Sequence, residues 1–136
     1  MRRILVGFDG SEESERALQF ALDNIEWNDV EMHLAYVVQK PAGLLDPVPE
    51  EELEPLRKAG QDVLSNAARM VRQCLDNPVT HLESGDPGEK LVELAGRLKP
   101  DLVVVGTTQH TTSEKLLGTV SSYFLKSRKY PLLIVP

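Results

Sequence analysis

The chain has 136 residues, the size of one domain that buries roughly two thirds of its unfolded surface without disulfides or metals. Its 15 basic and 21 acidic residues leave a net charge of −6, which repels phosphates and argues against DNA or RNA binding. The apolar runs are only a few residues long, far below the roughly 20 needed to span a bilayer, so we expect a cytoplasmic protein without membrane contact.

The first half of the chain predicts two strand–helix units. An apolar run at residues 3–8 ends in the polar turn Asp9-Gly10-Ser11, which is typical of a buried strand leaving a sheet. Apolar residues then recur at helical spacing through residues 18–25, and Ser11 can cap this helix. The alternation over Val30–Val38 predicts a second strand, and an apolar stripe over residues 53–74 predicts a long helix.

The second half predicts three further strands and two helices. Residues 78–83 form a half-polar stretch that opens with proline, which suits a strand at the edge of a sheet. Asp86 and Pro87 can cap and begin a helix. The run at residues 102–105 is apolar at every position, as expected for a central parallel strand, and a last helix over residues 116–124 leads to a closing strand, Leu132–Val135.

Five strands alternating with four helices predict an α/β fold: a three-layer sandwich in which a parallel sheet has helices on both faces. In such sheets a ligand binds beyond the carboxyl ends of the strands, where the strand order reverses. The turns that follow the first strand, at Asp9-Gly10, and the fourth, at Gly106-Thr107, are the best candidates because they combine glycine with polar side chains.

Residues 101–120 carry the clearest binding pattern. A buried strand ends at Gly106, a hydroxyl-rich loop follows, and Gly118 lies against the next helix. Backbone N–H groups that are free at such a turn and at a helix start can hold a phosphate without a lysine. The loop contributes hydroxyls from Thr107, Thr108, Thr111, Thr112, Ser113 and Thr119.

Four segments of the chain together resemble the universal stress protein family, and the resemblance covers the whole chain. They are Ile4-Leu-Val-Gly-Phe-Asp9-Gly-Ser11, Leu34-Ala-Tyr-Val37-Val, Ser84-Gly-Asp-Pro87, and the stretch from Asp101-Leu-Val-Val-Val-Gly106 to the closing Pro131-Leu-Leu-Ile-Val-Pro136. The resemblance implies one adenine nucleotide alpha hydrolase-like domain over residues 1–136, strand order 3-2-1-4-5, and a role in the stress response. It also implies a homodimer that pairs Leu132–Val135 of two subunits.

Nucleotide-binding members of this family carry Gly-x2-Gly-x9-Gly-Ser/Thr after the fourth strand. Gly106 matches the first glycine and Gly118-Thr119 the final pair, whereas Gln109 replaces the middle glycine and the second gap is one residue short. The resemblance also places Asp9 on the adenosine and Val37 against the adenine. The implied site for ATP or AMP, with Mg, is Asp9, Val37, Gly106, Gln109, Gly118, Thr119 and Val120.

Two functions remain open at this point. One is an adenine-nucleotide-binding module, with at most a slow ATPase or phosphotransfer activity and no identified catalytic residue. The other is a nucleotide-independent dimeric interaction protein with a degenerate phosphate loop. Asp9 can equally serve its own turn, and Gly106 can equally be needed by the turn after its strand.

Cysteine and histidine chemistry is predicted to be absent. Cys74 is the only cysteine, which excludes a disulfide, and its place in an apolar helical stripe predicts a packing role. His33 and His81 fall in strands without ligand spacing, and His110 has no identifiable partner, so no metal site is expected.

Overall fold

The computed structural model describes residues 2–39, 49–107 and 119–136, and for Thr119 the backbone alone. Strands and helices alternate along these residues. In chain order they are β1 (Arg2–Gly7), α1 (Glu12–Asn24), β2 (Val30–Val38), α2 (Glu50–Val71), β3 (Val79–Ser84), α3 (Pro87–Leu98), β4 (Leu102–Gly106), α4 (Thr119–Ser127) and β5 (Leu132–Val135).

The strands form one parallel sheet in the order β3-β2-β1-β4-β5, which confirms the predicted order. The central strand β1 pairs with β2 on one side and with β4 on the other, with Val6 opposite Leu34 and Val104. The chain thus winds outward in both directions from β1. The strand order reverses between β1 and β4, and their carboxyl ends are where a ligand is expected in a sheet of this kind.

Two apolar cores cover the two faces of the sheet. On one face α1 and α2 pack on alternate strand residues, around fully buried Leu18, Met32 and Leu64. On the other face α3 and α4 pack around Leu5, Leu94 and Phe124. Because strand side chains alternate between faces, each central strand contributes to both cores, and this explains why residues 103–105 are all apolar.

Two side-chain caps fix helix starts at the carboxyl edge of the sheet. The backbone N–H of Ser14 donates to Ser11 Oγ at 3.2 Å, which caps α1. The N–H of Glu89 donates to Asp86 Oδ2 at 2.9 Å, which caps α3, and Pro87 is the first residue of that helix. Both predicted caps are confirmed, and each satisfies a backbone donor that the helix itself leaves free.

The sequence prediction was wrong about Cys74. The helix α2 ends at Val71, and the N–H groups of Cys74 and Leu75 both donate to the Val71 carbonyl at 2.9 Å, which turns the chain out of the helix. Cys74 is therefore exposed, and Leu75 packs against the core instead. Pro78, a few residues on, could not have continued the helix in any case.

Within the described ranges, no helix is both long and apolar enough to cross a membrane. The cytoplasmic location stays a prediction. Residues 116 and 117 of the predicted last helix lie outside the described part of the chain.

Candidate functional site

A cavity of about 490 Å³ opens at the carboxyl ends of β1, β2 and β4. Its floor is formed by strand ends, including Gly7, Val37 and Gly106. The strand order reverses here, between β1 and β4, as the family resemblance implied. The volume lies within the range of roughly 300–1,000 Å³ typical of small-molecule sites.

All four helices contribute to the walls of the cavity. The capped start of α1 supplies Ser11 and Ser14, and α2 supplies Leu56 and Ala59. The capped start of α3 supplies Asp86, Pro87 and Leu91, and α4 supplies Val120. The N-terminal ends of α1 and α3 therefore both lie at the cavity, and a helix start favours negative charge.

The structure brings together four of the residues predicted to form the site: Asp9, Val37, Gly106 and Val120 all line this cavity. Thr119 is the first residue of α4, directly before Val120. Gln109 and Gly118 lie outside the described residues. The part of the site that the structure describes is thus the floor and the walls.

Asp9 belongs both to a turn and to the cavity. Its Oδ1 accepts the backbone N–H of Ser11 at 2.9 Å, which is the turn role considered from the sequence. A carboxylate has a second oxygen, and Oδ2 can accept a further donor such as a hydroxyl. The two roles that the sequence left open for Asp9 are therefore compatible in one side chain.

Gly106 is required by packing, for a reason other than the one considered from the sequence. A Cβ at this position would lie 2.6 Å from the carbonyl oxygen of Glu13 and 2.7 Å from its carbonyl carbon. The φ angle of Gly106 is outside the left-handed region, so the turn itself does not demand glycine. The glycine is needed because the first turn of α1 lies against the end of β4.

The sequence profile of the universal stress protein family matches residues 1–136. The chain belongs to the universal stress protein family. A universal stress protein of Methanocaldococcus jannaschii is 33% identical over an alignment that covers 98% of this chain and 81% of that protein.

Two solved structures of the universal stress protein family show the same fold over nearly the full length of the chain. A universal stress protein in complex with cAMP is 27% identical, with a TM-score of 0.73 and coverage of 99% of this chain and 97% of that chain. An Arabidopsis thaliana member of the family with AMP bound is 18% identical, with a TM-score of 0.74, covering 99% and 91%.

In this member of the universal stress protein family, Tyr36 also lines the cavity, which was not predicted from the sequence. Burial, and then the negative charge of Asp9, raise the pKa of the Tyr36 phenol above its usual value of 10.0, so the ring presents a neutral hydroxyl. Gly60 in α2 makes room for this ring, because a Cβ there would lie 2.9 Å from Tyr36 Cδ2 and Cε2. A glycine inside a long helical stripe was the one signal that could have pointed to it.

The charges on the described walls of the cavity are acidic. Asp9 and Asp86 both line it, whereas none of its described lining residues is a lysine, an arginine or a histidine. The remaining polar groups include the side chains of Ser11, Gln39 and Thr107. Such a surface suits an uncharged ring with hydroxyl groups better than it suits a bare polyphosphate.

Proposed function

We propose that this chain binds an adenine nucleotide, AMP or ATP, in the cavity at the carboxyl ends of β1, β2 and β4, and that it acts in the stress response through this binding. The observation that carries the proposal is the meeting of Asp9, Val37, Gly106 and Val120 on one cavity at the reversal of the strand order. The cAMP complex of a relative that is 27% identical along nearly the whole chain supports the same ligand class.

The nucleoside half of the ligand fits the described residues best. Val37, Leu56 and Ala59 offer apolar surface to a purine ring, which gains affinity from leaving water. Oδ2 of Asp9 can accept a ribose hydroxyl while Oδ1 stays bonded to the N–H of Ser11. We therefore assign the adenosine to the strand ends and to the wall formed by α2.

The phosphate half would be held by helix starts and hydroxyls. Ser11 and Thr107 line the cavity, and the starts of α1 and α3 lie beside it. Asp86 is the acidic exception, since it faces the same space. Roles for Gln109, Gly118 and Thr119 stay predictions of the family resemblance, and so does Mg²⁺, for which Asp9 and Asp86 are the described carboxylates on the cavity.

Filling the cavity tests the proposal directly. Ala59 is an exposed residue of the α2 wall, so Ala59→Phe places a ring in the cavity without overpacking the core, and Ala59→Ser is its matched control. We expect saturating AMP or Mg-ATP to raise the melting midpoint of the parent and of Ala59→Ser by several degrees, since a ligand at 100 times its Kd stabilises by about 2.7 kcal/mol. Ala59→Phe should lose this shift.

The charge of Asp9 provides a second test. Asp9→Asn keeps an oxygen for the N–H of Ser11 but loses the carboxylate, so we expect nucleotide affinity in calorimetry to fall about 5- to 10-fold with little change in folding. Asp76→Asn, at an exposed loop position that does not line the cavity, is the control. No heat and no melting shift with millimolar AMP or ATP would overturn the proposal and favour the nucleotide-independent alternative.

A further inference from the structure

A chain of hydrogen-bonded titratable side chains links β2 to β3, and none of its members lines the nucleotide cavity. His33 Nε2 lies 2.5 Å from Glu31 Oε1, and His33 Nδ1 lies 2.8 Å from His81 Nε2. Side chains along a strand point alternately to the two faces of the sheet. Glu31, His33 and His81 all point to the face that α3 and α4 cover. Glu31 also lies 3.4 Å from Arg3 Nε of β1.

The two imidazoles meet edge to edge. Their centroids are 5.0 Å apart and their planes differ by 23°, while the facing nitrogens are only 2.8 Å apart. This is the geometry of a hydrogen bond in the plane of both rings, and stacked rings could not combine these values. His33 is 5% exposed, and His81 is half-buried at the edge strand.

Simple donor and acceptor counting fixes most of the protons. A carboxylate only accepts, so His33 Nε2 carries the hydrogen that it donates to Glu31. The contact between His33 Nδ1 and His81 Nε2 needs one hydrogen, which either nitrogen can hold. With both rings neutral, His81 donates; with one extra proton, His33 can be the imidazolium and donate on both sides.

A second extra proton cannot be accommodated. Two imidazolium rings would point N–H groups at each other across 2.8 Å, with like charges in a partly buried site. One of the rings must then leave the contact. His81 is the one that can, because it is half-buried on an edge strand, whereas His33 is buried in the sheet.

The charged side chains around Glu31, His33 and His81 include groups that raise and groups that lower the pKa of His81. Arg3 of β1 faces Glu31, and Arg97 of α3 pairs with Glu83 of β3 at 2.7 Å beside His81. Burial, and then the charge of His33, lower the pKa of His81; Glu83 opposes this and Arg97 adds to it. The hydrogen bond from His33 lowers the pKa of Glu31, which keeps the carboxylate ionised in mild acid.

We propose that Glu31, His33 and His81 form a proton-operated clamp that holds the edge strand β3 on the sheet while the pair of rings carries at most one extra proton, and that releases β3 when both rings are charged. The strand is suited to release, because its residues are exposed or half-buried and, among the strands that the structure describes, only β2 pairs with it. Mild acid would thus loosen one edge of the sheet before the rest of the fold.

The release would reach the proposed nucleotide cavity through the end of β3. Ser84 pairs with Val38, and the N–H of Gly85 donates to the Val38 carbonyl at 3.0 Å. Val38 lines the cavity, and so does Asp86, which directly follows Gly85. This consequence rests on the proposed function, whereas the clamp itself does not.

Hydrogen exchange on the ligand-free protein tests the clamp alone. We expect the opening of the β3 amides, corrected for intrinsic exchange, to increase up to about 30-fold between about pH 7.5 and about pH 5, since an open His81 with an ordinary pKa of about 6.5 gains one proton over this interval. The amides of β4, an inner strand on the other side of β1, should show no such increase.

Two substitutions separate the clamp from general acid effects. His81→Gln keeps an N–H for His33 Nδ1 but cannot be charged, so its β3 exchange should not depend on pH in this way. His110→Gln removes the third histidine and should behave like the parent. An equal increase in His81→Gln, or unchanged β3 protection in the parent, would overturn the clamp.

A titration of the parent's histidine resonances keeps the proposal testable if His81→Gln fails to fold. The two rings should take up protons in two separate steps, and only the second should shift the β3 amide resonances. A single shared step without any shift of the β3 amides would contradict the clamp. Because no nucleotide is present in any of these measurements, their failure and a failure of the proposed function are distinguishable.

Discussion

Gly106 at the end of β4 lies against the backbone of Glu13 in α1, so closely that a Cβ would be 2.6 Å from the Glu13 carbonyl oxygen. Glu13 is itself buried, with Arg16 of the next turn 3.8 Å from its carboxylate. The contact fixes the first turn of α1, and with it Ser11 and Ser14, beside the cavity. A residue that matches a phosphate-binding pattern is therefore also needed to assemble the fold.

We predict that Gly106→Ala lowers the free energy of unfolding by about 1–3 kcal/mol even without ligand, because the helix or the strand must shift to admit the methyl group. Urea denaturation followed by circular dichroism measures this. Gly96→Ala in α3 is the matched control: apart from the backbone of its own helix and its chain neighbours, no described atom lies within 4 Å of its added Cβ, so we expect a gain of up to about 1 kcal/mol from helix propensity. An equal free energy of unfolding for Gly106→Ala and the parent would show that α1 or β4 shifts to admit the methyl group without loss of stability.

The acid side of the stability curve should reflect His81. Since the pKa of His81 is lowered in the folded protein, the unfolded chain binds more protons below the ordinary value of 6.5. The contribution of His81 to the free energy of unfolding should therefore be fully present above about pH 6.5 and be lost as the pH falls below this value. The free energy should fall by less than about 1.4 kcal/mol per pH unit, because His81 is partly solvated. Denaturant midpoints at a series of pH values measure this, and the slope should flatten in His81→Gln but persist in His110→Gln.

The alkaline side should reflect Tyr36. Its pKa is raised above 10.0 by burial and by Asp9, so the folded protein holds the phenol proton more tightly than the unfolded chain. The stability linked to Tyr36 is complete below pH 10.0 and is lost as the pH rises through the raised value. We expect Tyr36→Phe to unfold less readily than the parent in this range, with Tyr123→Phe, at a 40% exposed position, as the control. Denaturant midpoints at a series of alkaline pH values measure this. If the free energies of unfolding of the parent and of Tyr36→Phe fall equally with rising pH, Tyr36 is not the group responsible.

The order and type of the elements could be predicted because they depend on local patterns. Ser11 and Asp86 are residue types that predict helix starts, and the uninterrupted apolar run at residues 102–105 predicts a strand covered on both faces. The family resemblance supplied the strand order, and this order placed Asp9 and Gly106 at one cavity.

The parts that could not be predicted depend on the register between distant strands. His33 and His81 are 48 residues apart, and they meet only because β2 and β3 pair with Ala35 opposite His81. A shift of one residue would move His81 to the other face of the sheet. The close contact of Gly106 with Glu13 depends in the same way on how a helix lies on the sheet, which no single-residue pattern encodes.

The dimer predicted from the family resemblance would form through an apolar edge strand. The strand β5 lies at one edge of the sheet, and Leu132, Leu133 and Ile134 are only half-buried in one copy of the chain. An apolar edge strand with free backbone groups favours pairing with another strand, and a second copy of the same edge is a natural partner. We therefore predict a homodimer that is formed through β5.

A lysine at the edge tests this prediction. Ile134→Lys places a charge on the β5 edge, where the aliphatic part of the lysine can still cover the core, so we expect a monomer with a nearly unchanged circular dichroism spectrum. Val79→Lys is the matched control on the opposite edge strand β3, where Val79 is 39% exposed, and it should stay dimeric. Light scattering coupled to gel filtration gives the masses. A monomeric parent at about 50 micromolar would contradict the homodimer itself, whereas loss of the dimer in Val79→Lys alone would place the interface on the β3 edge.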